Sequence, residues 1–296
     1  MKIASAGKIR DERGFDIVIY AVSTLVVLII LYPLIFIVSA SFSDPALVMN
    51  GSMWLWPKGF TFQAYHEILQ YKDVWSGYRN TILYTLLGTC INMLLTCLAA
   101  YPLSRKDLPG RNVFMFIITF TMFFNGGLIP TYLLVKSLHM VHTVWALVIP
   151  NAIATYHLIV MRTYFQTGIP WELQEAATID GCSNSGMLLR IILPLSKPMI
   201  AVIVLFYTVG HWNAFFNALI YLDKQEMYPL QLILRQILIM NQTGFMGDSF
   251  GMTEKLLLAE SMKYALIIVA SVPVLLIYPF VQRHFVQGVM IGSIKG

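Results

Sequence analysis

The sequence predicts an all-α membrane protein with six transmembrane helices, from its composition, the gaps between its charges and the side on which those charges fall. Of 296 residues, 57% are apolar and 12% charged, against about 45–50% and 25% in soluble domains. That balance excludes a disordered, collagen-like or strongly basic nucleic-acid-binding chain. A lipid-spanning helix needs about 20 residues almost free of charge. Six stretches lack Asp, Glu, Lys and Arg: 17 to 43, 80 to 104, 112 to 135, 137 to 161, 198 to 222 and 264 to 282. The next longest, Pro45 to Pro57, carries turn formers. The apolar runs are continuous rather than alternating, and exposed sheet edges are too costly in hydrocarbon, so helices are preferred to a barrel.

Taken in order, the predicted spans are 17–38, 80–101, 113–135, 143–161, 198–222 and 264–282, in one domain covering residues 1–296. The first could instead be a cleaved signal peptide, because Val38, Ser39 and Ala40 imitate a cleavage site. The run from Ile17 exceeds a signal core of roughly 7–15 residues, and Asp11, Glu12 and Asp16 spoil a basic leader, so it is read as an anchor. With six spans both termini share one side. The segments on that side hold 12 Lys or Arg and 7 acids, the others 8 and 8. Arg105, Lys106 and Arg111 crowd into one short turn, so both termini are expected in the cytoplasm.

Between the first two spans, Thr61 can cap an interfacial helix with Phe62, Tyr65, Ile68, Leu69 and Tyr71 to Trp75 roughly on one side. Leu230 to Met240 is apolar but interrupted by Arg235, too short and polar for a seventh span, and is expected to lie against the bundle. Asn241 to Gly251 is rich in Gly and polar residues and should be a loop.

Three cysteines give no disulfide framework: Cys90 and Cys97 lie about one helical stripe apart as packing residues, and Cys182 falls in a loop expected in the cytosol. No catalytic constellation is present. Gly181-Cys182-Ser183-Asn184-Ser185 imitates the nucleophile elbow but has Ser185 where glycine is required, and no strand precedes it. There is no phosphate-binding lysine motif, no HExxH and no paired Cys or His at metal spacing. An intramembrane protease would have to rely on His157, His211 and a buried serine.

The loop 162–197 is the most informative segment. Pro170 suits a helix start, Trp171 to Asp180 can be helical and Gly181 supplies a left-handed stop. Ser183 or Asn184 can cap a second helix ending before Pro194. The first arm carries Glu172, Glu175 and Asp180; the second is apolar through Met187, Leu188, Leu189, Ile191 and Ile192. One arm can therefore face a partner while the other packs on the membrane domain.

Glu175-Ala176-Ala177-Thr178-Ile179-Asp180-Gly181, followed after nine residues by Ile191-Ile192-Leu193-Pro194, resembles the EAA pattern of bacterial ABC importer permeases. Gln282-Arg283-His284-Phe285-Val286-Gln287-Gly288, the closing Gly292-Ser293-Ile294-Lys295-Gly296 and Trp212-Asn213-Ala214-Phe215 are similar to the MalG-like carbohydrate type. Phe124-Asn125-Gly126-Gly127-Leu128-Ile129-Pro130-Thr131 resembles its LplC-like branch, which handles oligosaccharides.

The resemblance implies a multi-pass subunit of the bacterial inner membrane that forms a sugar path with a second, homologous permease. It implies docking of a cytosolic ATPase dimer on the EAA loops through Glu172, Glu175, Ala176, Ala177, Asp180 and Gly181. An extracytoplasmic binding protein would deliver the sugar, meeting the loop of Gly244, Phe245 and Gly247, and the tail Gly288 to Gly296 would reach the ATPase. ATP and Mg would reside in the partner subunits, leaving this chain without cofactor, metal or enzymatic activity. His211, Trp212, Asn213 and Asn217 are expected on the translocation surface, because polar groups in a span are disfavoured against lipid and amides with aromatic rings suit sugars. Asn125 and Asn151, beside Gly126 and Pro150, are candidates for the same path or for satisfying freed backbone groups. The alternative is an ion-gradient-driven transporter. That class commonly places ionisable groups inside its spans and shows inverted repeats, whereas these spans contain no Asp, Glu, Lys or Arg and no internal repeat is found.

Overall fold

Apolar runs too long for a soluble core have become helices, and no strand occurs among the described residues. The computed structural model describes residues 10–243, 262–276 and 279. Over those residues the chain forms two compact units, one from 10–71 with 238–271 and one from 72–237 with 272–276. The expected loop residues Gly244, Phe245 and Gly247 and the tail Gly288 to Gly296 lie outside the described residues.

In the first unit, α1 (Arg10–Ser41) exposes apolar side chains on every side along most of its length. Its end is anchored by a small core in which Ala40, Val48 and Met53 pack with Phe36 and Tyr264. Helix α2 (Pro45–Met49) is capped by Asp44, whose Oδ1 accepts from the Ala46 amide at 2.8 Å. Helix α3 (Gln63–Gln70) is shorter than the interfacial helix expected from the sequence. Thr61 Oγ1 does accept from the Gln63 amide, but Phe62 is the capping residue, and the extended backbone of Tyr71 ends the helix.

The second unit is organised around α4 (Lys72–Ser104), whose 33 residues make a rod about 50 Å long. It is followed by α5 (Arg111–Phe123), α6 (Leu128–Ser137), α7 (Trp145–Val148), α8 (Thr155–Thr167), α9 (Trp171–Ile179), α10 (Asn184–Leu195), α11 (Lys197–Trp212), α12 (Phe216–Tyr221) and α13 (Leu230–Thr243). Helix α14 (Met262–Leu276) begins among the residues of the first unit and ends among those of the second. Helices α8 and α11 pack on α4. Helix α13 also lies against it: Leu230, Leu232 and Ile233 are buried, and the Leu230 amide donates to Thr81 Oγ1 at 2.8 Å.

Among the described residues, two helices, Gly14–Ser41 and Lys72–Ser104, are long and apolar enough to cross a membrane, or up to four if each bent pair counts as one. Three of the predicted stretches are interrupted rather than continuous. In 113–135, α5 and α6 meet at 113° across Asn125-Gly126-Gly127, where Gly127 has a φ of +81°. In 143–161, Pro150 cannot donate a backbone hydrogen bond, and the chain is non-helical from Asn151 to Ala154. In 198–222, Asn213 to Phe215 separate α11 from α12. Side chains satisfy several of the backbone groups that these interruptions free. Asn125 Oδ1 accepts from the Gly127 amide at 3.0 Å, Asn92 Nδ2 donates to the Asn151 carbonyl at 3.4 Å, and the Ala154 amide donates to the Tyr207 hydroxyl at 3.2 Å.

Candidate functional site

The two-armed loop folds from its own sequence signals. Helix α9 ends in a hydrogen-bonded reversal: the Gly181 amide donates to the Thr178 carbonyl at 3.0 Å and the Cys182 amide to the Ala177 carbonyl at 2.9 Å. That pairing needs a left-handed residue at Gly181, which has a φ of +74°. Ser183 then caps α10, its Oγ accepting from the Gly186 amide at 3.2 Å. Helix α10 does not stop before Pro194, as the sequence suggested, but runs to Leu195 through a π-turn over Leu188–Ile192. The wider turn lies immediately ahead of the proline, where an ordinary helical turn would bring its ring against the preceding carbonyls.

The arms bury opposite amounts of surface. On the second, Met187, Leu188 and Ile192 are buried in one core with Leu158, Met161, Phe165 and Ile169. On the first, Glu172, Glu175, Ala176, Asp180 and Gly181 are exposed, Ala177 is half-buried, and Gln174 is the residue turned inward, 5% exposed. Ile179, at 86% exposure, and Leu173, at 45%, stand among the acids. The face is thus acidic with an apolar centre, held up by a buried partner arm. Trp171 Nε1 donates to Glu175 Oε1 at 2.7 Å, fixing that carboxylate across one helical turn.

Two residues of the turn after α4 meet both arms. Lys106 Nζ lies 5.3 Å from the centre of the Trp171 ring, and Arg105 Nη1 donates to Asn184 Oδ1 at 3.0 Å. Arg105 also forks onto Asp107 at 2.8 and 2.6 Å. The Arg105 guanidinium holds the Asp107 carboxyl below the usual carboxylate range, and the pair raises Arg105 in turn.

The family model of the binding-protein-dependent transport system inner membrane component matches residues 74–291. The chain belongs to this family of ABC importer permeases. It is 42% identical over 286 residues to the polygalacturonan/rhamnogalacturonan transport system permease protein YtcP of Bacillus subtilis, covering 96% of this chain and 99% of that one. Protein LplC of the same organism is 42% identical over 269 residues, 90% of each chain. A crystal structure of a bacterial ABC transporter that imports the acidic polysaccharide alginate contains a chain that is 34% identical, with a TM-score of 0.85 over 95% of this chain and all of that one. A permease is the membrane subunit of an importer, and ATP hydrolysis belongs to separate subunits.

Of the four residues expected on the permease's translocation surface, two, His211 and Asn217, line one cavity. Trp212 is buried, its ring 6.2 Å from that of Tyr78. Asn213 is exposed and donates to the Val209 carbonyl at 2.9 Å, tying off the end of α11. The four-residue spacing of Asn213 and Asn217 would put them on one face of a continuous helix, but the helix is broken at Asn213 to Phe215. Asn217 and His211 instead line a cavity of about 20 Å³ beside Thr81 and Tyr84. The His211 ring occupies the space that a Cβ at Gly88 would need, and its Nε2 has no hydrogen-bond partner.

The polar contacts between the permease's helices come largely from residues the sequence reading passed over. Thr81, Thr85, Thr89, Asn92 and Thr96 form a buried stripe on α4. Thr96 Oγ1 and the Tyr207 hydroxyl are 2.8 Å apart, and Thr89 and Thr208 hydroxyls 3.5 Å. Their three- and four-residue spacing inside a charge-free span was the available signal. In the sequence Arg105 is legible only as a topology charge; its contact with Asn184 joins residues 79 positions apart and has no local signature.

Proposed function

We propose that this permease carries saccharide across the cytoplasmic membrane, pairing with a second permease of the same family and docking a cytosolic ATPase dimer on the exposed face of α9. The single observation behind the docking reading is the contrast between the arms. A helix with Glu172, Glu175, Asp180 and a bare Ile179 on its open face is carried on a second helix buried in the core. Such a face is costly to leave uncovered and is built for a basic, partly apolar cleft. Glu175 pairs with a basic side chain of the ATPase, Ala176 and Ala177 allow close approach, and Gly181 sets the bend.

In this reading 17–38, 80–101, 113–135, 143–161, 198–222 and 264–282 are the six crossings, including the interrupted ones. The loop 162–197 and both termini lie in the cytosol. An extracytoplasmic binding protein delivers the substrate to the loop containing Gly244, Phe245 and Gly247, and the tail from Gly288 meets the ATPase. ATP and Mg act in the partner subunits, not here. His211 and Asn217 remain the candidates for the sugar path. The substrate class is an oligosaccharide, and fragments of uronic-acid polysaccharides come first, because two relatives are named for polygalacturonan/rhamnogalacturonan and for alginate.

Reconstitution in vesicles with the second permease, the ATPase and the binding protein tests this reading. ATP-dependent uptake of labelled oligogalacturonate, insensitive to collapse of ion gradients, is the expected result. Uptake driven by an ion gradient without ATP would overturn it.

A further inference from the structure

Arg105 is used more fully than charge neutralisation requires. A guanidinium has five N–H donors in a fixed plane. Its Nε and Nη2 are taken by the two oxygens of Asp107, only two residues away, at 2.8 and 2.6 Å. That fork fixes the plane, and the remaining nitrogen, Nη1, faces the second arm. It donates to the Tyr101 hydroxyl at 3.1 Å and to Asn184 Oδ1 at 3.0 Å. The Arg105 side chain is 16% exposed, so these contacts are partly withdrawn from water. Asn184 is the first residue of α10 after its Ser183 cap. The neighbouring Lys106 lies against Trp171, the first residue of α9. One short turn thus holds the starting residue of each arm.

The space around this bridge is open. Arg105 and Asp107 line two clefts. One, of about 420 Å³, faces α9 along Trp171, Gln174 and Ile179. The other, of about 400 Å³, faces α10 along Asn184 and Leu188. Beside the apolar core that α10 shares with Tyr101 and Leu103 of α4, the turn itself meets the arms across these clefts through polar side chains. A contact of that kind transmits a displacement while leaving room for it.

We propose that Arg105, oriented by Asp107, is the positioning residue that couples movement of the two-armed loop to the end of α4. It rests on the docking reading above and deepens it, because it assigns the path by which a pull on α9 reaches a membrane-spanning rod. Arg105 itself touches neither ATPase nor substrate. Lysine cannot substitute, since a single ammonium cannot fork onto Asp107 and reach Asn184 in the same plane.

The test is made in the complete reconstituted importer with Arg105→Gln, Arg105→Lys and Asn184→Leu, scored for subunit stoichiometry, basal ATP hydrolysis and sugar imported per ATP. The expected result is normal stoichiometry and basal hydrolysis, with import per ATP down about tenfold in all three, inside the range by which single residues modulate coupling between sites. Asn184→Asp, which keeps an acceptor, should retain coupling. A wild-type import ratio in Arg105→Gln would overturn the proposal. So would loss of assembly in the Arg105 variants, restored by lysine, with Asn184→Leu unaffected, since that is plain structural support. Glu175→Lys run alongside separates the two readings. If it still assembles and couples, the docking reading has failed; if it loses assembly while Arg105→Gln couples normally, only the role of Arg105 has failed.

Discussion

The two ends of α4 are held by different chemistry. At the end near Lys72, neutral side chains grip backbone. Asn80 Nδ2 donates to the carbonyls of Glu226 and Tyr228 at 2.7 and 3.1 Å, the Tyr84 hydroxyl donates to that of Met227 at 2.9 Å, and Thr81 accepts from the Leu230 amide. At the end near Ser104, beside the core that Tyr101 and Leu103 share with Met187 and Leu188 and the bond from Arg162 Nε to the Leu103 carbonyl at 3.1 Å, the charged Arg105 grips other side chains across open clefts. Backbone carbonyls in a 3₁₀ turn cannot move without unfolding it. Side-chain acceptors on a bent arm can. The difference separates an anchored end from an end able to follow a partner.

Substitutions at the two ends should therefore fail in different ways. The largest effect is expected for Glu175→Lys, which reverses the charge on the exposed α9 face and should abolish recovery of the ATPase with the permease. Gly181→Val comes next. Nothing lies within 4 Å of a Cβ there, so the cost is backbone strain at a φ of +74°, about 1–2 kcal/mol. Uptake should fall while the folded yield changes little. Asn80→Ala removes two hydrogen bonds to carbonyls, at about 1 kcal/mol, and should do the reverse, lowering the thermal midpoint while sugar imported per ATP stays constant. A changed import ratio in Asn80→Ala would erase the distinction between the ends.

A smaller effect tests the middle of the rod. Tyr207→Phe removes the hydroxyl that meets Thr96 and the Ala154 amide and should cost about 1 kcal/mol, read as a lowered midpoint in detergent. The smallest concerns pH. Asp107 is depressed in the folded protein by Arg105, so its contribution is present above its ordinary pKa and is lost only as pH falls through the lowered value. Import per ATP should stay flat as pH is lowered through the neutral and mildly acidic range. A loss already at mildly acidic pH would contradict the pairing.

What could be read in the sequence was what depends on local pattern. Charge-free stretches located the helices, Gly181 and Ser183 marked the bend and the second cap, and Leu230 to Met240 falls in a helix whose start packs on α4. Interruptions within the spans were harder. Asn125-Gly126-Gly127 and Pro150 were visible as breakers, but whether a breaker bends or only kinks a helix depends on side chains elsewhere, here Asn92 and Tyr207. The four-residue spacing of Asn213 and Asn217 is subject to the same limit, because a face is defined only while the helix continues. Arg105 shows the remaining limit: its partner Asn184 is brought near by packing of α10 on the core, and no spacing in the chain announces it.

The central claim is that the exposed face of α9, and not the anchored end of α4, meets the ATPase. It is tested most directly by cysteine cross-linking in membranes, after replacement of Cys90, Cys97 and Cys182. A short bifunctional reagent should join Ala176→Cys to a co-expressed ATPase subunit and leave Gln225→Cys, beside the anchored end, unjoined. A cross-link from Gln225→Cys with none from Ala176→Cys would contradict it.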